Sequence, residues 1–257
     1  LKNSNVFIKY EANNLITKDF IKIADMKILW GANETINSIQ QLPAPPRSRT
    51  LAFANRSSIS VIDSQSILGL DKKALTQLAN DFYNDTYLMD QNACSSPSTI
   101  IWLGSDPEKA KAIFWQEVKS LIKEKYIIQT SSVVDKFTEL CTDLVTKEVQ
   151  EVSVDDKRLY RLNLKHLTHD CLETESSCGY FHEYSAKNLD QILPLLDVSC
   201  QTVTYYGDIK DDILNLVLNN KVKGVDRIVP IGKALEIGPN WDGIETLKLL
   251  SRTISSM

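Results

Sequence analysis

A thiol framed by small polar residues is the feature of this chain best suited to chemistry. In Tyr87-Leu-Met-Asp-Gln-Asn-Ala-Cys94-Ser-Ser-Pro-Ser-Thr, Cys94 follows Gln91 by three residues and precedes the apolar run Ile100–Leu103, which predicts a strand. A cysteine whose pKa is lowered by backbone amides or a helix N-terminus is a nucleophile, and its product with an acyl donor is a thioester. Asn92, Ala93, Ser95 and Ser96 are small enough to let the backbone approach a substrate. The same residue equally fits a buried structural thiol, the usual place of a free cysteine. Cys141, Cys171, Cys178 and Cys200 have no comparable frame.

Other candidates carry weaker signals. In Ile28-Leu-Trp-Gly31-Ala-Asn-Glu-Thr-Ile36 a glycine sits between a predicted strand and a predicted helix, where a helix N-terminus can hold a phosphate. It lacks the full Gly-x-Gly-x-x-Gly set and fits an ordinary strand–helix turn as well. Lys9 ends the strand-like run Val6–Ile8, a position for reaching a ribose or phosphate, or simply water. His166 and His169 have no metal-ligand spacing, and His182 in Phe181-His-Glu183 reads as a satisfied structural histidine that could also lie near a pocket. Glu173 and Glu175 read as a solvated loop. Asn240-Trp-Asp-Gly243 reads as a packed turn that could line a pocket.

The elements that must position these residues alternate. Strands are predicted at Val6–Ile8 and Lys27–Trp30, then a short helix at Asn33–Gln41 and a stiff Pro-rich connection over Leu42–Arg49. Leu51–Phe53 and Ser58–Ile62 predict a strand pair or one bent strand. Leu75, Leu78, Ala79 and Phe82 give Asp71–Asn84 one buried helical face. Asp106–Ile122 predicts a helix with Asp106 as N-cap and a proline in its first turn, and Val134–Val145 another. A strand pair is predicted over Glu151–Leu164. Strand, helix, strand, helix and strand follow at Gly179–Tyr184, Leu189–Leu196, Gln201–Tyr206, Asp211–Asn219 and Arg227–Pro230, which predicts an α/β architecture with parallel pairing.

At 257 residues, with 43% hydrophobic and 24% charged residues, the chain can bury one large core or two ordinary ones. A net charge of -4 leaves no electrostatic footprint for nucleic acid. No stretch is long and apolar enough to predict a membrane span. Five cysteines without a Cys-x-x-Cys pair point to a reducing compartment, the cytoplasm. A start at Leu1, almost directly in a strand-like run, reads as the later part of a longer protein.

The order of these landmarks resembles the aldehyde dehydrogenase superfamily, and more closely the LuxC-type acyl-CoA reductases, the long-chain fatty acid reductase family. The resemblance is carried by Leu29–Ile36, Asp90–Pro97, Gln201–Gly207, Gly224–Gly232 and Trp241-Asp-Gly243, and runs from about Lys2 to near the C-terminus. It implies an aldehyde dehydrogenase-like α/β fold, with residues 1–62 as the remaining part of a Rossmann-type cofactor domain. Residues 63–232 would form the catalytic thiol domain, and 233–257 a segment packing back on the cofactor or oligomerisation side. It implies reduction of an acyl thioester to an aldehyde by NADPH through a Cys94 acyl-enzyme, with the Cys94 backbone amide holding the oxyanion. Lys9, Trp30, Gly31 and Glu34 would contact the cofactor, and Glu175 is the nearest counterpart of the nicotinamide-ribose glutamate. The implied acyl donor is acyl-CoA or an acylated synthetase partner, and the implied assembly a homo-oligomer. Ala52 stands where acid-forming relatives carry the glutamate that activates water, which favours the reductase. The family's oxyanion-stabilising asparagine and first cofactor strands would lie before Leu1. A CoA-acylating aldehyde dehydrogenase and a non-catalytic subunit retaining the fold are the alternatives.

Overall fold

The computed structural model describes residues 5–172 and 177–256. It divides into two compact units, Leu1–Asn55 with Leu250–Met257, and Arg56–Leu249. The smaller unit opens with helix α1 (Asn14–Ile23), whose N-cap Asn13 accepts N–H bonds from Leu15 and Ile16. Strand β1 (Met26–Trp30), helix α2 (Asn33–Gln40) and strand β2 (Arg49–Phe53) follow, and β1 and β2 pair in parallel across the α2 crossover. Val6–Ile8 is not the expected strand: it is irregular, and Val6 and Phe7 are almost fully exposed. An apolar run yields a strand only where a neighbouring edge takes up its backbone groups.

The larger unit is a seven-stranded sheet in the order β5-β6-β7-β4-β3-β8-β9. Its first elements are β3 (Ser57–Asp63), α3 (Ser64–Leu68), α4 (Lys72–Asp85), β4 (Pro97–Leu103), α5 (Pro107–Lys125) and α6 (Thr130–Thr146). Then come β5 (Val149–Asp156), β6 (Leu159–Leu164), β7 (Tyr180–Ala186), β8 (Cys200–Tyr206), α7 (Lys210–Asn219) and β9 (Arg227–Pro230). All pairs are parallel except the β5–β6 hairpin. Strands β10 (Asn240–Trp241) and β11 (Ile244–Glu245) form a small separate hairpin.

Sheet faces follow the two-residue period of a strand. Ile62, Ile100 and Trp102 pack with Leu78 and Phe82 of α4 and Phe114, Trp115 and Val118 of α5. Ile59, Val61, Ile101 and Val203 pack on the other face with Ile213 and Leu216 of α7 and with Ile192 and Leu195. Both faces are therefore covered, and β3 and β4 read as nearly unbroken buried runs, as parallel strands do.

The expected domain boundary at 62/63 gives way to one at 55/56, because β3 is hydrogen-bonded between β4 and β8 in the larger sheet. For the same reason β2 and β3 are neither a pair nor one bent strand. Nor is 233–257 a unit by itself: residues up to Leu249 belong to the larger unit. Residues Leu189–Leu195 wind as a 3-10 helix containing Pro194, whose missing N–H and ring bulk oppose an α-helix. Asp106 precedes α5 but makes no capping bond; its φ and ψ of -135° and 59° lie outside the extended conformation usual for an N-cap.

Candidate active site

Four neighbouring parallel strands, β4, β3, β8 and β9, bring the amino ends of their chains to one place. Cys94 lies in the turn before β4, Arg56 just before β3, Gln201 at the start of β8, and Asp226 just before β9. Ligand sites of open α/β sheets ordinarily sit at the carboxyl ends, so this cluster occupies the opposite edge.

The turn carrying Cys94 is held from both sides. Asp90 and Gln91 adopt left-handed backbone, φ 52° and 59°, a conformation that side chains other than Gly, Asn and Asp resist. Gln91 offsets that cost with four hydrogen bonds. Its side-chain N–H groups donate to the carbonyls of Pro97 (3.1 Å) and Tyr180 (2.8 Å). Its oxygen accepts from the N–H groups of Gly179 (2.9 Å) and Tyr180 (3.1 Å). Gly179 is required there: its φ is +87°, and a Cβ would fall 2.1 Å from the carbonyl oxygen of Arg158. Gln91 thus braces the loop and does not face the thiol. Ser96 Oγ donates to the Asp85 carbonyl (2.6 Å), and Ser58 Oγ donates to the Cys94 carbonyl (2.7 Å) while accepting from the Thr202 N–H (3.1 Å).

Cys94 itself is half-buried. Gln201 Nε2 donates to its sulfur at 3.5 Å and also to Asp242 Oδ1. Asp242 in turn receives Arg56 Nη1 (3.3 Å), which pairs with Asp226 as well, while Arg56 Nη2 donates to the Cys200 carbonyl (2.8 Å). Asp242 and Gly243 have φ of 52° and 71°, the two left-handed residues of a tight hairpin turn. A Cβ on Gly243 would lie 2.5 Å from Asp226 Oδ1. The guanidinium of Arg227 stacks on Trp241 at 4.5 Å. The Asn240–Gly243 turn is thus packed, and its aspartate reaches the thiol through one amide. Burial pushes the Cys94 thiol above its ordinary value. The Gln201 amide and the N–H groups of Cys94 and Ser95 oppose that rise, and the Asp242 charge adds to it.

The predicted cofactor contacts lie in the smaller unit. Trp30 ends β1, exposed, with its ring 4.6 Å from Phe53. Gly31 donates its N–H to the Phe53 carbonyl (3.3 Å). A Cβ there would make ordinary van der Waals contact with Thr35 carbons at 3.9 Å. Helix α2 has no side-chain cap at Ala32, and Glu34 stands in its first turn. Lys9 lies in the irregular segment before α1 and does not end a strand. Ala52 sits on β2 opposite Leu29. Glu173 and Glu175 lie outside the described residues.

His182 is wholly buried, with Nε2 2.6 Å from Asp143 Oδ2 and Nδ1 3.1 Å from the Cys171 carbonyl. The ring is thus held between a carboxylate and a backbone carbonyl. His166 lies near Glu148 (3.9 Å) and His169 pairs with Asp197 (2.5 Å). Among the described residues no group of three or more His, Cys, Asp or Glu is arranged to hold a metal ion. Neither Arg56 nor Gln201 has a role assigned from the sequence, although Gln201 opens the Gln201–Gly207 motif that carries the family resemblance. The fold brings the Asp-Gly turn at 242–243 to both side chains.

The sequence profile of the acyl-CoA reductase (LuxC) family matches residues 5–253. The chain belongs to that family. Two relatives of this LuxC-family chain are named long-chain acyl-protein thioester reductase, from Photorhabdus laumondii subsp. laumondii and Photorhabdus luminescens. They are 23% and 25% identical to it over 98% of its length and 51% of theirs. The chain therefore spans about half the length of the curated relatives it matches. A NAD-dependent aldehyde dehydrogenase from Sinorhizobium meliloti superposes with a TM-score of 0.59 at 9% identity, over 88% of this chain and 47% of that one. A NAD-dependent benzaldehyde dehydrogenase from Corynebacterium glutamicum gives 0.55 at 14% identity, over 86% and 50%. At such identities the likeness shows the fold, which is aldehyde dehydrogenase-like α/β. Among the described residues no helix is long and apolar enough to cross a membrane.

Proposed function

We propose that this LuxC-family chain is the thiol-bearing part of a reductase that converts a fatty acyl thioester to the fatty aldehyde, with Cys94 as the residue that carries the acyl group. The observation that carries this reading is the placement of the Cys94 sulfur, half-exposed among an amide donor and two backbone N–H groups. The names of the Photorhabdus relatives support the substrate class. The acyl donor is acyl-CoA or an acylated synthetase partner.

Cys94 sulfur attacks the thioester carbonyl carbon, forming a new carbon–sulfur bond, and the donor thiol leaves with its electron pair and takes up a proton. The Cys94 N–H supports the oxygen that becomes negative. A reduced nicotinamide, when bound, supplies a hydride to the acyl carbon. The thiohemiacetal left on Cys94 then re-forms its carbon–oxygen double bond, the carbon–sulfur bond breaks, and the electron pair returns to sulfur. Because burial raises the Cys94 pKa, the resting group is the neutral thiol, and acylation speeds up as pH rises toward that pKa. Ala52 supplies no carboxylate to activate water, in keeping with aldehyde rather than acid as product.

NADPH is the proposed donor. The start of α2, which has no side-chain cap, and the glycine before it suit a pyrophosphate, Glu34 would accept from ribose hydroxyls, and Trp30 and Lys9 would flank the adenosine end. The protein is proposed to act in the cytoplasm as a homo-oligomer, where its five free thiols stay reduced.

The test is intact-protein mass spectrometry after incubation with a long-chain acyl-CoA, comparing the native chain with Cys94→Ala. One acyl adduct that disappears in the variant is the expected result. An adduct retained in Cys94→Ala, or none on the folded native chain, sinks the assignment of Cys94.

A further inference from the structure

Gln201 stands out of the register of its own strand. Opposite β3, Ser57 pairs with Cys200 and Ser58 pairs with Thr202, so Gln201 is the extra residue of a β-bulge. A bulge turns the side chain of the extra residue away from the regular alternation, and bulges recur beside active sites for that reason. Here it directs a wholly buried amide at the Cys94 sulfur.

The orientation of that amide is determined by its neighbours. Thr202 Oγ1 donates to Gln201 Oε1 at 3.4 Å, and Gln201 Nε2 donates to Asp242 Oδ1. A flipped amide would set its oxygen against the Asp242 carboxylate, two acceptors face to face. Arg56, paired with Asp226 and bonded to the Cys200 carbonyl, anchors Asp242 in turn. The atom presented to the sulfur is therefore an N–H. The Gln201 amide and the backbone N–H groups of Cys94 and Ser95 are the donors that meet the sulfur.

We propose that Gln201 is a catalytic residue: its side-chain N–H, aimed by the bulge and locked by Asp242 and Arg56, steadies negative charge on the Cys94 sulfur whenever the carbon–sulfur bond is unmade. The proposal rests on the acyl-enzyme reading of Cys94. In the collapse of the thiohemiacetal the electron pair of that bond moves to sulfur, and a donor already in place makes the sulfur a better leaving group. The same bond favours the thiolate that opens the reaction. Charged groups within electrostatic reach of the sulfur are Asp242 on the hairpin turn, which disfavours the thiolate, and Arg227 on β9, which favours it. Arg56 and Asp226 form a closed pair behind Asp242.

The experiment is the pH dependence of Cys94 alkylation by iodoacetamide, read on the Cys94 peptide by mass spectrometry, in the native chain and Gln201→Leu. Loss of one hydrogen bond to a thiolate is expected to move the midpoint up by about one pH unit, an effect of about tenfold on the alkylation rate below it. An unchanged midpoint in folded Gln201→Leu overturns the proposal. Should Leu at 201 not fold, Gln201→Glu gives the same test in an isosteric side chain. The midpoint is again expected to rise, and an unchanged one overturns the proposal. The acyl adduct separates the two assignments. An adduct on the native chain without a midpoint change removes Gln201 alone; a midpoint change without an adduct removes the acyl-enzyme and leaves the hydrogen bond standing.

Discussion

Two polar networks lie in the larger unit, and they have exchanged appearances. Around Asp143, a histidine, a tyrosine and a lysine converge on one carboxylate: His182 Nε2 at 2.6 Å, Tyr180 Oη at 2.7 Å and Lys147 Nζ at 2.5 Å. Such a His–Asp pair resembles catalytic machinery, yet it is sealed in the core and every polar atom in it has a partner. Around Cys94, an amide, a carboxylate and an arginine line up behind the thiol. That cluster is half-open, and the buried Arg56 Nε and Trp241 Nε1 beside it have no hydrogen-bond partner among the described residues. The satisfied network holds α6 to β7.

The carboxylates behind the two networks sharpen the contrast. Burial works to raise the Asp143 pKa, but His182, Lys147 and Tyr180 together outweigh it and hold the group down at about 2. Asp85, whose carbonyl receives Ser96 of the Cys94 turn, accepts only the N–H groups of Gly232 (2.6 Å) and Ala234 (2.9 Å). Burial wins there and pushes it up to about 6.

The largest effect is expected from Asp143→Ala, which takes the carboxylate from His182, Tyr180 and Lys147 and should cost about 3–5 kcal/mol in urea unfolding. A loss below about 1 kcal/mol would mean that the core pair is not holding the fold. Next in size is the pH dependence set by Asp85. Its folded pKa lies above the unfolded value of 3.8, so its contribution is complete below that value and fades as pH rises through about 6. The span is worth about 3 kcal/mol, and Asp85→Asn should flatten that limb of the stability–pH curve. Asp143 acts with the opposite sign. Its contribution, about 2 kcal/mol, is present above 3.8 and is lost as pH falls through about 2, an acid limb that Asp143→Asn should remove. The smallest expected effect breaks the comparison most cleanly if it fails. His182→Gln should leave the Cys94 alkylation rate of folded protein within about twofold, and a drop of about tenfold would make the buried histidine part of the thiol's chemistry.

Much of the larger unit was legible in the sequence because its signals are local. The three- and four-residue spacing of Leu75, Leu78, Ala79 and Phe82 marks α4, and Asp71 caps it by accepting the Ala74 N–H at 2.8 Å. The regular alternation from residue 179 onward marks β7, β8, α7 and β9. Asp106 has the right type and place for a cap but the wrong backbone angles, a matter no spacing records. Val6–Ile8 has the composition of a strand without a pairing edge, and Ser58–Ile62 found its partners in β4 and β8 rather than in the strand just before it.

Cys94 itself was marked by its neighbours in sequence: small residues, a turn, then a buried strand. Its setting was not. Gln201 lies 107 positions from Cys94 and Asp242 a further 41 from Gln201, separations over which no local pattern carries information. The sequence alone determined the thiol, the turn that presents it and the apolar periods of the strands behind it, because these follow from backbone preference and burial within a few residues. Only the tertiary structure decided that four strand ends would meet there, that a bulge would turn Gln201 inward, and that His182 would be sealed with Asp143. Strand order and register bring distant side chains together, and they are set by the packing of the whole sheet.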